Sequence, residues 1–167
     1  VVGKLAGLEE GEPAWNLAQW SSKHDLVTAA GEKLASGALR YANQGKSVVI
    51  GLPGTEDADL TLGVRAQAEY GDHARRKGEP WPHLLATQRF ELHPALKDLD
   101  KLVLSISVRL RESTLGKTED YDSHIHAAQF VFYVTAQNLN RQSPGYGDYL
   151  YFGVPLYDDR YPHGTPK

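Results

Sequence analysis

The segment Asp148-Tyr-Leu-Tyr-Phe-Gly-Val-Pro-Leu-Tyr157 alternates almost without a break, with Leu150, Phe152, Val154 and Leu156 at one parity and Tyr149, Tyr151 and Tyr157 at the other. A helix would scatter these positions around its circumference. A strand sorts them into a core row and a row of phenols, because successive side chains point to opposite faces. The same period runs through Leu102 to Arg111, where Leu102, Leu104, Ile106, Val108 and Leu110 oppose Ser105, Ser107, Arg109 and Arg111. In His126 to Gln137, Phe130, Phe132 and Val134 oppose Gln129, Tyr133, Thr135 and Gln137. Further strands are predicted at Ala38 to Ala42, Ser47 to Leu52, Leu60 to Tyr70 and His83 to Leu92. Turn signals separate them, among them Asn43-Gln-Gly, Leu52-Pro-Gly, Arg76-Lys-Gly-Glu-Pro and Ser143-Pro-Gly-Tyr-Gly. A turn or short helix near Asp25 to Glu32 is the main helical signal. Regularly spaced strands with long loops predict an all-β sandwich or barrel, read as one domain over residues 1–167.

Composition narrows the functions this fold can serve. The 167 residues carry a formal net charge of -3 with both signs interspersed. No basic stripe suits a nucleic-acid backbone and no polybasic patch suits a membrane surface, and no apolar run approaches the ~20 residues of a membrane-spanning helix. The absence of cysteine removes disulfides, thiolate metal ligands and cysteine nucleophiles together. Methionine is absent as well, so Val1 reads as a processed or shortened start, and the lack of a visible signal peptide carries no information. The tail from Arg160 stops without a clear final strand, so the reading allows the natural chain to continue past Lys167. The sequence leaves the oligomeric state open.

The polar parities have an unusual composition. Arg65, Gln67 and Glu69 share one parity of the Leu60 to Tyr70 strand, Thr87, Arg89 and Glu91 one parity of the next, followed by Arg109, Gln129, Tyr133, Tyr149 and Tyr151. An ordinary solvated face is rich in lysine and glutamate, whereas this one offers guanidinium, amide and phenol groups. Guanidinium and amide groups make planar, multidentate hydrogen bonds suited to vicinal hydroxyls or carboxylates, and a tyrosine ring offers a flat apolar surface with a hydroxyl at its tip. The expectation is a glycan-facing sheet lined by Arg65, Gln67, Glu69, Arg89, Arg109, Gln129, Tyr133, Tyr149 and Tyr151. A glycan ligand in turn places the protein outside the cell. Trp15 and Trp20 read as anchors of an edge to the core. Tyr70 to Pro82 and Ser113 to Ser123 read as solvated, mobile loops.

Three stretches, Trp15-Asn-Leu-Ala-Gln-Trp-Ser-Ser, the Glu69-Tyr70 pair and Gly147-Asp-Tyr-Leu-Tyr-Phe-Gly, resemble the concanavalin A-like lectin/glucanase superfamily. That resemblance implies a jelly-roll β-sandwich of two antiparallel sheets and a carbohydrate substrate class, and leaves the activity open. A binding module is the first expectation, and two enzymatic alternatives stand beside it. A glycoside hydrolase would need a carboxylate pair, for which Glu69 and Glu91 are the candidates. A uronate lyase of this superfamily would use Arg65 to neutralise the sugar carboxylate, with His126 and Tyr151 moving the proton. The chain departs from the lyase pattern at His124 and lacks its closing lysine. A structural or protein-contact sandwich is the remaining alternative. His124-Ile-His126 could also pair on a metal with Asp120 or Asp122 nearby, although Gln129 stands where a glutamate ligand would be expected; Asp57, Asp59, Asp158 or Asp159 could hold structural calcium but form no strict loop motif, and no cofactor is expected.

Overall fold

The computed structural model describes residues 2–5, 15–51, 60–88, 95–116 and 119–161. Their strands are β1 (Val2–Leu5), β2 (Trp15–Trp20), β3 (Glu32–Lys33), β4 (Leu39–Ala42), β5 (Lys46–Ile50), β6 (Leu60–Val64), β7 (His83–Thr87), β8 (Gln129–Gln137) and β9 (Tyr149–Asp158). Every strand pairing among them is antiparallel. Among the described residues helix is confined to α1 (Ala66–Tyr70) and a single 3-10 turn at Leu96–Asp98. The all-β, antiparallel reading therefore holds for the described residues. The chain divides into two compact units, Val1–Lys101 and Leu102–Lys167.

In the first unit, a sheet of order β1-β2-β7 and a sheet of order β3-β4-β5-β6 share one core. Leu17 from the first sheet packs with Tyr41, Val48 and Ile50 from the second, closed by Leu26 and flanked by Leu39, Leu60, Leu62 and Leu84. The β4–β5 turn follows from Asn43, whose side-chain oxygen accepts from the main-chain N–H groups of Gly45 (3.0 Å) and Lys46 (2.9 Å). A Cβ at Gly45 would sit 2.8 Å from the His24 Cβ, so the turn needs glycine there. With that turn in place, the period of β5 points Lys46, Val48 and Ile50 into the core.

The second unit is built on the β8–β9 hairpin. Its connection is tied by reciprocal main-chain bonds, Asn138 N–H to Asp148 C=O (2.8 Å) and Gly147 N–H to Asn138 C=O (2.9 Å). Gly147, at φ 92°, supplies the left-handed residue the loop requires.

Three expectations are corrected here. The Leu60 to Tyr70 strand ends at Val64, and Ala66–Tyr70 turns into α1, because Ala-Gln-Ala-Glu has strong helix formers and no β-branched residue. Of the two forms expected near Asp25 to Glu32, the turn is the one present, at Val27 and Thr28, and Glu32 opens β3. Leu102 to Arg111 belongs to no sheet, and its apolar row is exposed, from 42% at Leu104 to 57% at Leu102. Finally, a bulge shifts the β8–β9 register so that Val131 faces Pro155 while its neighbour Phe130 faces Tyr157. The extra residue carries Tyr157 to the apolar side with Phe130, away from Tyr149 and Tyr151.

Candidate functional site

The hairpin register explains the phenol cluster. Gln137 lies opposite Tyr149, Thr135 opposite Tyr151 and Tyr133 opposite Gly153, so all six share one face. Tyr151 is the pivot: its ring centroid lies 4.9 Å from that of Tyr149 and 6.0 Å from that of Tyr133, with interplanar angles of 76° and 74°. Such edge-to-face contacts hold the rings in place while leaving them 51–62% exposed. Gly153 makes room for the arrangement, since a Cβ there would meet Tyr133 Cε1 at 2.8 Å. At the far end of this face Gln129 donates to Asp158 Oδ2 (2.8 Å), so its amide is already engaged. Asp158 also receives Nε of Arg160 (2.8 Å), and this guanidinium holds its carboxyl well below the usual carboxylate range. Arg109 is exposed on the extended run of the same unit.

Arg65, Gln67 and Glu69 belong to the first unit and do not form a strand face. Arg65 precedes α1 and is exposed, as is Gln67, while Glu69 is only 4% exposed. Its carboxylate takes the Ser22 hydroxyl on one oxygen and the Lys23 main-chain N–H (2.7 Å) on the other. Lys23 Nζ donates to the Glu69 main-chain carbonyl (2.8 Å), and the His24 ring bonds the Ala68 carbonyl (3.0 Å). Burial works to raise the Glu69 pKa, but the Ser22, Lys23 and His24 contacts outweigh it and hold the carboxyl below its ordinary value. An ionised carboxylate with both oxygens engaged pins α1 to the strand end and is ill suited to act as a general acid. Arg89 and Glu91 lie outside the described residues, as do Asp57 and Asp59.

His124 sits in the turn over 123–125 and His126 directly follows it, neither of them on a strand. His126 Nδ1 accepts the main-chain N–H of Asp122 (2.7 Å), and its ring lies 5.4 Å from that of Tyr121, so the residue has a local structural task. Among the described residues no group of three or more histidine or acidic side chains could hold a metal ion. A cavity of about 310 Å³ opens beside this turn, between Leu115, Tyr121 and His124 on one side and Asp159 to Tyr161 on the other.

Two features escaped the sequence reading. Lys46 is 2% exposed, with Nζ donating to the His83 carbonyl (2.8 Å); desolvation lowers its pKa despite the opposing pull of Glu69 and Asp25. Extending the Val48–Ile50 period back two residues would have placed a lysine on the core face. The second is the place of Trp20: expected to anchor an edge to the core, it is instead 44% exposed and stacks on His83 at 4.4 Å and 16° on the outer side of the β2–β7 pair. No family model matches the chain, and none of the curated proteins or solved structures does either.

Proposed function

We propose that the protein binds polysaccharide or oligosaccharide, with Tyr133, Tyr149 and Tyr151 as the contact surface of a jelly-roll sandwich. The observation that carries this reading is the held yet exposed phenol cluster around Tyr151. A sugar ring presents C–H groups on its faces and hydroxyls at its rim. The phenol faces take the former, and the tyrosine hydroxyls, Thr135 and Gln137 lie within the same patch to take the latter.

The jelly-roll reading also assigns a place to Leu102 to Arg111, as a third strand on the free edge of β8. Within sheets proline, which lacks a ladder donor, is found on edge strands and at bulges, and Pro155, which flanks the bulge, is compatible with β9 as the edge and β8 as the strand to be extended. β8 itself contains neither proline nor glycine. The Ser113 hydroxyl bonds the Tyr157 hydroxyl (2.7 Å), tethering the run at the end of the hairpin where Phe130 faces Tyr157. Antiparallel addition would merge its apolar row with Phe130, Phe132 and Val134, and set Ser107 and Arg109 beside the tyrosines.

The reading is tested by affinity electrophoresis in gels containing neutral or uronate polysaccharides. Wild-type protein should be retarded by at least one of them, and Tyr151→Ala should weaken that retention on the order of tenfold, the equivalent of about 1.4 kcal/mol. Unchanged retention in Tyr151→Ala, or none in the wild type, would sink it. One observation favours a protein-contact role instead: the opposite face of the hairpin leaves Leu150 and Phe152 67% and 63% exposed.

A further inference from the structure

The outer side of the β2–β7 pair carries a second aromatic cluster. Trp20 faces His83 across the two strands, and their rings stack at 4.4 Å. Trp81 lies two residues before His83, its ring centroid 6.4 Å from that of the histidine and tilted by 59°. Both indoles are more than 40% exposed, Trp20 at 44% and Trp81 at 41%. Tryptophan is highly buried on average, so two exposed indoles flanking one imidazole form an uncommon surface.

The loop that presents Trp81 is built by hydrogen bonds and is not the free, solvated segment its charge suggests. Glu79 organises it, with Oε2 accepting the Arg76 main-chain N–H (2.7 Å) and Oε1 lying 3.3 Å from His73 Nε2. Arg75 donates to the Glu79 carbonyl (2.8 Å) and rests over the Trp81 ring at 5.4 Å. The Tyr70 hydroxyl donates to the Pro80 carbonyl (2.7 Å), and burial pushes the pKa of this phenol up to about 12. These ties fix the segment that carries the indole, which is what a binding platform needs to avoid an ordering cost on contact.

The charges of this loop have an asymmetry. Its two acids, the exposed Asp72 and the half-buried Glu79, both contact His73, and they are outnumbered by Arg75, Arg76 and Lys77, of which Arg76 and Lys77 are exposed. Cations therefore exceed acids in the loop beside the indoles, on a chain whose net charge is -3.

We propose that Trp20, His83 and Trp81 form a binding platform for acidic polysaccharide, distinct from the tyrosine face. The indoles stack on pyranose faces, and Arg76 and Lys77 attract the uronate carboxylates. Stacking supplies contact area, and the exposed cations supply a salt-dependent attraction that favours charged over neutral chains.

All three tryptophans lie in the first unit, at positions 15, 20 and 81, so indole emission reports on the unit that carries this surface, and Tyr151→Ala is the control for the tyrosine face. The experiment is a fluorescence titration of the whole chain with polygalacturonate, with a neutral glucan as control, at low and high salt. Polygalacturonate should change the emission, added salt should weaken the effect, and Tyr151→Ala should leave it intact. Trp81→Ala should lower the affinity on the order of tenfold. The pair Arg76→Gln and Lys77→Gln, both exposed, should weaken binding several-fold at low salt only. Thermal melts of each variant separate a folding loss from a binding loss. An unchanged wild-type emission, an affinity unaltered in folded Trp81→Ala, or equal binding of the neutral glucan would each overturn the proposal. Because retention through the tyrosine face is measured with Tyr151→Ala, the two readings stand or fall separately.

Discussion

Gly153 shows how one missing side chain builds a surface. Tyr133 leans across the space a Cβ would occupy, which brings its ring against Tyr151. Gly153→Ala should push the Tyr133 ring aside while leaving the β8–β9 pairing intact, since neither strand needs a left-handed residue there. The expected outcome is a several-fold weaker glycan retention with a small change in melting temperature, read from affinity gels beside a thermal melt. Equal retention would show that Tyr133 is not part of the contact surface. Glu69 shows the opposite case, a residue whose type suggested chemistry and whose surroundings consume it. The sequence could place a glutamate near the end of the β6 region. It could not reveal that Ser22 and Lys23, 47 and 46 positions earlier, would close on both carboxylate oxygens.

At the level of elements, period-two alternation located β4, β5, β7, β8 and β9 well, because each has apolar residues on one parity that a strand can bury. It failed over Ala66–Tyr70, where the alternation of Ala with Gln and Glu fits a short helix equally well and helix propensity decides. The bulge between Val131 and Phe130 could not be read from composition, because it depends on how two strands meet, and it moved Tyr157 to the other face. The run Leu102 to Arg111 offers a direct test at this scale. The chain has no cysteine of its own, so paired cysteines report without background. In the third-strand arrangement Ser107 shares a face with Val131 and Thr135, while Ile106 points to the other side. Ser107→Cys combined with Val131→Cys or with Thr135→Cys should therefore give an intramolecular disulfide under mild oxidation, seen as a mobility shift on a non-reducing gel. Ile106→Cys with the same partners should not. Equal trapping by Ile106, or exclusively intermolecular bonds, would refute the added strand.

For the whole molecule, the buried titratable groups of the first unit predict a characteristic pH dependence of stability. Glu69 has a lowered pKa, so its contribution is complete above the ordinary value of 4.5 and is lost as pH falls through the lower folded value. Lys46 is also lowered, but as a base. Between its folded value and 10.5 the unfolded chain holds a proton the folded chain does not, so stability should rise with pH in that window. Tyr70, raised from 10.0 to about 12, acts in the opposite sense. The folded phenol keeps a proton that the unfolded one releases, and stability falls as pH climbs through that interval. Urea unfolding of the wild type from pH 7 upward should show the rise followed by the fall, and Lys46→Met should lose the rise alone. A flat profile in the wild type would remove the buried lysine from the account.

The sequence by itself determined that the chain would build antiparallel sheets, that Tyr149 and Tyr151 would share one face of their strand, and that thiol chemistry was excluded. These are properties of residue type and of period-two geometry, which act between neighbours along one strand. Only the tertiary structure decided that Glu69 is an anchor, that Lys46 lies in the core, that Tyr157 leaves the phenol row and that Trp20 stacks on His83 at the surface. Each of these depends on which distant segment arrives beside the residue, and burial, strand register and hydrogen-bond partners are set by that arrival and not by local pattern.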